Sequence, residues 1–149
     1  IIGGGNGVEY IKREMEKNDR IKYLGVMERS EAIKHQQQAT LLVNPRRATE
    51  SFTRDSFPSK TLEYMMSGTP VIMHRLEAIP QEYDEFLCYF DAEDCSIMAK
   101  NIMQVCNESP RTLYEKGIAA KEFVSSQKSN INQMKKMIHF LLREETEYK

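Results

Sequence analysis

Asp55-Ser-Phe-Pro-Ser-Lys-Thr-Leu-Glu-Tyr-Met-Met-Ser-Gly68, followed at once by Thr69, Pro70 and the apolar run Val71, Ile72, Met73, is the stretch whose reading decides the fold. It reads as a loop entering a short helix that ends at Gly68 and feeds a buried strand. Pro58 suits the opening of a helix, because its missing N–H costs nothing there, and Gly68 suits the left-handed residue that closes one. Leu62, Met65 and Met66 recur at the spacing of one helical face and are expected to point at the core. Lys60, Glu63 and Ser67 then share the opposite face, a polar stripe that forms the candidate working surface.

Lys60 is out of place by simple electrostatics. A cation in the first turn opposes the partial positive charge of the helix N-terminus, at a cost of roughly 0.3–1 kcal/mol when exposed, so an anion should offset it. A salt bridge to Asp55 or Glu63 would do so. A bound phosphate would do so as well, since free backbone N–H groups at a helix start suit anions. Spacing alone leaves both open.

Outward from this stretch, the chain alternates strand and helix. Ile1 and Ile2 read as the end of a first strand, turning at Gly3 to Gly7 into an amphipathic helix marked by Val8, Ile11 and Met15 that closes near Asn18. The glycines do not make a dinucleotide fingerprint: counted from Gly3, the third glycine of G-x-G-x-x-G falls on Val8. Ile21 to Leu24 reads as a second strand leaving at Gly25, and Ser30 as the cap of a helix running through Ile33 to about Gln38. Leu41, Leu42 and Val43 form an uninterrupted apolar third strand of the kind covered on both faces. Asn44 and Pro45 end it, and the polar segment from Arg46 to Ser56 is long enough to suggest a binding loop.

After the fourth strand, Val71 to Met73, a turn around Ala78, Ile79 and Pro80 leads to a fifth, Phe86 to Phe90. Asp94 or Ser96 starts a helix in which Met98, Ile102, Val105 and Cys106 share a face. Ser109 and Pro110 open another through Leu113, Ile118 and Phe123. Ile131, Met134, Ile138, Leu141 and Leu142 define a long final helix, and such stripes are expected in the core. The fold class is therefore α/β, an open parallel sheet of about five strands with helices on both faces and a long C-terminal helix. Ligands of such sheets sit at the carboxyl ends of the strands, which puts Gly3 to Gly7, Gly25 to Glu28, Asn44 to Arg46 and Asp55 to Lys60 on one expected rim.

Composition narrows the function classes. The 149 residues suffice for one ordinary domain, and a net charge of −1 gives neither a nucleic-acid footprint nor a basic membrane-coating face. Cys88, Cys95 and Cys106 have no metal-type spacing, and an odd count fits free thiols in the cytoplasm. No apolar run approaches the roughly 20 residues that span a bilayer, so membrane association is expected to be peripheral at most, at the inner face. The opening on Ile1, as if a strand were already under way, is expected of a piece of a longer protein. His35, His74 and His139 are expected to be surface or packed histidines, His74 standing nearest the ligand rim.

Asp55 to Glu63, with Tyr64, Met65, Gly68, Pro70 and Val71 behind it, resembles the donor-site signature of retaining glycosyltransferases with two Rossmann-like domains: the GT-B class, in its mannosyltransferase-like, group 1 family. That signature has two acids with seven residues between them, an apolar helix, a glycine and Pro-Val. Strand two ending in Gly25, strand three ending in Asn44-Pro45-Arg46, and Phe123 to Gln133 also look like the family, so the resemblance covers nearly the whole chain. It implies that residues 1–149 are a single C-terminal, nucleotide-sugar-binding domain lacking its first strand–helix unit and an N-terminal acceptor domain.

The resemblance also implies roles. Asp55 would hydrogen-bond hydroxyls of the transferred sugar, and Glu63 would hold the nucleotide ribose. Ser56, Phe57, Pro58 and Ser59 would present backbone N–H groups to sugar and diphosphate, Leu62 would lie along the same pocket, and Val26 to Glu28 with Arg46 would lie near the base. Lys60 would supply charge to the diphosphate, because the family's basic pair precedes residue 1. Asp55 departs from the usual glutamate by one methylene. The implied reaction takes a sugar from a nucleotide-diphosphate donor to a glycan or lipid-linked acceptor with retention, with no cofactor or obligatory metal and no nucleic-acid partner. The isolated fragment would bind donor weakly and catalyse nothing. A non-catalytic nucleotide-sugar-binding module and an epimerase of the same architecture are the competing readings.

Overall fold

A computed structural model describes residues 1–47 and 57–147, with side chains up to Leu142. The chain divides into two compact units, residues 1–38 and 39–149.

In the first unit, Ile1 to Gly3 runs parallel to Lys22 to Gly25. The Ile1 amino group donates to the Lys22 carbonyl at 2.6 Å, Leu24 N–H to Ile1 O at 2.9 Å, and Gly3 N–H to Gly25 O at 2.9 Å. These are the first two expected strands, paired but too short for a regular ladder. Helix α1 (Val8–Lys17) connects them, and Tyr23 ties the return segment down by donating its hydroxyl to Gly3 O at 2.7 Å. Helix α2 (Arg29–Gln38) starts ahead of the expected cap. Glu31 and Ala32 both donate to the Glu28 carbonyl at 3.0 Å, which puts Ser30 inside the first turn.

The second unit holds a parallel sheet ordered β1 (Leu42–Asn44), β2 (Val71–Met73), β3 (Cys88–Tyr89). Leu42, Val43 and Asn44 pair with Val71, Ile72 and Met73, and Ile72 and Met73 with Cys88 and Tyr89. Among the described residues the regular ladder numbers three strands, against the five expected. β2 is central and wholly buried. Because successive strand side chains point to opposite faces, Val71 and Met73 enter one cluster with Met65, Ala120 and Val124, while Ile72 enters another with Cys88, Phe90, Val105 and Leu113. Leu42 and Leu41 follow the same alternation, one to each cluster. Val43 is partly exposed because β1 is an outer strand of this sheet. The fifth expected strand narrows to Cys88–Tyr89, extended by Phe90 N–H donating to Met73 O at 2.9 Å.

Helix α3 (Ser59–Ser67) starts from Pro58 at the cap position and ends at Gly68, whose φ of 81° is the left-handed closure expected of it. Its buried face differs from the expected one. Thr61 and Met65 are fully buried, whereas Met66 is 41% exposed. Helix α4 (Cys95–Cys106) is capped by Asp94, which accepts from Ser96 and Ile97 N–H at 2.9 and 3.1 Å. Its inner face carries Asn101 where Cys106 was expected; Cys106 is exposed. Asn101 earns the place through Asp91, donating to its carboxylate at 2.7 Å and accepting its N–H at 3.1 Å.

Helix α5 (Pro110–Gln127) begins with Ser109 accepting from Thr112 N–H at 3.1 Å and buries Leu113, Gly117, Ala120 and Val124. Helix α6 (Asn130–Glu147) overturns the expectation for its stripe. Ile131, Met134, Ile138 and Leu141 are 50–69% exposed. Their spacing makes the helix amphipathic, but none of them joins either buried cluster of the described residues, which α3, α4 and α5 already fill.

Gly117 is where α3 and α5 meet. A Cβ there would collide with the Gly68 carbonyl, standing 2.7 Å from its carbon and 3.2 Å from Pro70 Cδ. Alanine raises helix propensity by up to ~1 kcal/mol over glycine. Backbone cannot yield as a flexible side chain can, and overpacking of this kind costs about 1–3 kcal/mol or more. Gly117→Ala is therefore expected to lower stability despite the propensity gain, measured by urea and thermal denaturation; an unchanged or raised midpoint would contradict the close approach.

Candidate functional site

The first turn of α3 lies against the carboxyl ends of β1 and β2 because of one buried hydroxyl. Thr61 Oγ1 accepts from Asn44 Nδ2 at 3.2 Å and donates to Met73 Sδ at 3.5 Å. Asn44 and Met73 are the last residues of their strands, so α3 starts at the carboxyl edge of the sheet, the edge at which open α/β sheets in general hold ligands. Thr61 was not singled out from sequence, and Asn44 only as the end of its strand and part of the expected rim. The available signal was a threonine among the apolar residues of a helix and an asparagine ending an apolar strand.

Glu63 and Lys60 stand on the exposed side of α3, as expected. Lys60 Nζ lies 2.9 Å from Glu63 Oε1, with the lysine side chain 57% and the glutamate 24% accessible. Glu63 is thus one of the expected partners that Lys60 meets among the described residues, and Asp55, the other expected carboxylate, lies outside them. An exposed pair at this helical spacing contributes only about 0.3–0.5 kcal/mol, so a stronger anion can re-partner Lys60 at little cost. Asp55 and Ser56, the sugar-binding acid and the first backbone donor expected, lie outside the described residues.

Pro58 is buried and has no N–H, so it cannot belong to the expected row of backbone donors. Its carbonyl accepts from Thr61 N–H at 2.8 Å. Ser59 and Lys60, at the start of the helix, are the residues whose N–H groups point out of the first turn. Phe57 and Leu62 pack their side chains on the first core cluster, which leaves Phe57 a backbone role in any site. Arg46 follows the end of β1 and donates its N–H to Asn44 Oδ1 at 3.4 Å. Val26 belongs to the first unit, where it is 78% exposed beside Gly4. His74, just past β2, is packed, with its ring centroid 4.9 Å from that of Phe90. His35 and His139 are exposed.

An aromatic group braces Phe57 from below. Phe57 meets Tyr83 at 5.1 Å between centroids, Tyr83 meets Phe123 edge-on at 5.1 Å, and Phe123 stacks on Phe86 at 4.4 Å. Lys128 Nζ lies 5.1 Å above Tyr83 and 5.2 Å above Phe123 and pairs with Glu82. Burial, with a smaller contribution from the Glu82 charge, pushes the Tyr83 phenol up to about 12. Burial also raises Tyr64, opposed by Lys60 and aided by Glu63.

Residues 1–108 match the family described as Glycosyl transferases group 1. The chain belongs to that family. No curated protein matches it. The family match runs from the first unit through α4 and stops short of α5, so the helix that carries Gly117 lies beyond it. In this group 1 glycosyl transferase chain, no group of His, Cys, Asp and Glu suited to a metal ion occurs among the described residues. No described helix is long and apolar enough to cross a membrane.

The Tyr83 shift has a definite sign. Its neutral form is favoured by folding, so that contribution is complete below pH 10, the ordinary tyrosine value, and is lost as pH rises through about 12. Tyr83→Phe is expected to flatten the fall in denaturation midpoint between pH 10 and 12 and to remove a late component of the tyrosinate absorbance rise. An identical alkaline profile in the variant would contradict the assignment.

Proposed function

We propose that the chain is the nucleotide-sugar-binding half of a retaining GT-B glycosyltransferase of the mannosyltransferase-like type. The observation that supports this best is the start of α3, pinned by Thr61 at the sheet's carboxyl edge with the Ser59 and Lys60 N–H groups and the Glu63 carboxylate on its accessible side. In this reading those N–H groups meet the donor diphosphate, where the partial positive charge of the helix start favours an anion. Lys60 turns from Glu63 to the diphosphate, and the Glu63 carboxylate accepts hydrogen bonds from the ribose. Asp55 contacts the transferred sugar, and Arg46 lies toward the base.

The reaction is transfer of the sugar to an acceptor hydroxyl with retention, the nucleoside diphosphate departing. Dipoles and cations aimed at the negative charge that develops on the diphosphate are the protein's contribution. The substrate is the sugar nucleotide itself, with no further cofactor in the reading. An N-terminal domain of the same polypeptide supplies the acceptor site, and the acceptor is a glycan or lipid-linked precursor of a polysaccharide, handled in the cytoplasm or at the inner face of the membrane.

The full-length protein incubated with uridine, guanosine and adenosine diphosphate sugars and candidate acceptors is expected to consume one donor with transfer. An epimerised donor would replace this reading by the epimerase, and binding without turnover by the non-catalytic module. Glu63→Gln weakens charge-assisted hydrogen bonds of about 1.5–3 kcal/mol, so the donor KM is expected to rise roughly 10- to 100-fold. Lys60→Ala is expected to weaken donor binding as well. Unchanged donor affinity in that variant removes Lys60 from the site.

A further inference from the structure

We infer that Asn44 and Thr61 form a latch that sets the first turn of α3 against the exit loop of β1, and that both act as positioning residues for donor binding. The inference rests on the donor-site reading above. Thr61 follows Lys60 directly and precedes Glu63 by two positions, so its buried side chain and their accessible ones project from opposite sides of one turn. Holding Thr61 therefore orients Lys60 and Glu63. The hydroxyl uses its proton on Met73 Sδ at 3.5 Å and a lone pair on Asn44 Nδ2 at 3.2 Å. The Asn44 amide then uses its oxygen on Arg46 N–H at 3.4 Å. One side-chain amide thus joins two segments that the proposed site needs in register, Asn44 to Arg46 and Ser59 to Glu63.

A purely structural role for these bonds makes a different prediction, and the magnitudes separate the two. The body of α3 is held by fully buried Met65 and by the backbone approach of Gly68 to Gly117 at its far end. Each latch bond is a single neutral hydrogen bond, whose net contribution to folding is small because it replaces bonds to water. Losing one leaves the helix docked and releases chiefly its first turn. Affinity should therefore fall by more than stability alone explains.

The test uses the full-length protein, with uridine, guanosine and adenosine diphosphates as probes. Affinity is measured calorimetrically for wild type, Thr61→Val, Thr61→Ser, Asn44→Ala and the Thr61→Val/Asn44→Ala double variant, well below each variant's melting temperature. The expected result is roughly tenfold weaker binding by Thr61→Val and by Asn44→Ala, recovery to within about twofold in Thr61→Ser, and a double variant weakened by clearly less than the product of the two single losses, because both remove the Asn44–Thr61 bond. Binding within twofold of wild type in both single variants overturns the latch and leaves the donor site standing. Affinity lost only in step with the melting temperature, without rescue by serine, reduces these residues to structure and also overturns it. Wild type that binds none of the three removes the donor-site reading and the latch with it.

Discussion

The second unit depends on an approach of backbone to backbone. Gly117 on α5 leaves room for the Gly68 carbonyl, and Gly68 is at once the left-handed end of α3 and the entry to Thr69, Pro70 and β2. Moving α5 outward by the depth of one methyl group would open the cluster that Met65, Val71, Met73, Ala120 and Val124 share. Protein interiors are packed too densely to absorb such a gap by relaxation. A small residue on one helix thus determines where another ends and where the central strand begins.

With its far end fixed in this way, α3 carries its polar start to the carboxyl edge of the sheet. The two ends of the helix are held by different physics. Buried apolar area and close approach hold the C-terminal end, where there is no direction to satisfy beyond contact. Directed hydrogen bonds through Thr61 hold the N-terminal end, where a few degrees change what Lys60 and Glu63 can reach. The aromatic brace of Phe57, Tyr83, Phe123 and Phe86 plays a third part, since it anchors the side chain of the residue next to Pro58 through a tilted ring contact with Tyr83.

Much of this was legible in the residues. The caps at Asp94 and Ser109, the closure at Gly68 and the buried strand Val71 to Met73 follow from local chemistry, because each depends on groups only a few positions apart. The polar partners were not legible. Asn101 and Thr61 take inner positions that hydrophobic periodicity assigned to Cys106 and Met66, and each is admitted by a hydrogen-bonding group from another part of the chain. Periodicity counts apolar side chains and has no term for a satisfied polar one. The α6 stripe shows the complementary failure: an amphipathic pattern specifies that one face prefers burial, while the neighbours decide whether burial is on offer.

The sequence by itself determined the alternation of strand and helix, the ends of α3 and the membership of the chain in the group 1 glycosyl transferases, because these rest on local backbone preferences and on a contiguous motif. Tertiary structure alone decided that Thr61 is the buried pin of α3 and that Gly117 is its counterpart on α5. Both depend on contacts between segments distant in the chain. Spacing along one chain cannot state either of them, since each is fixed only when separate elements close around the same volume.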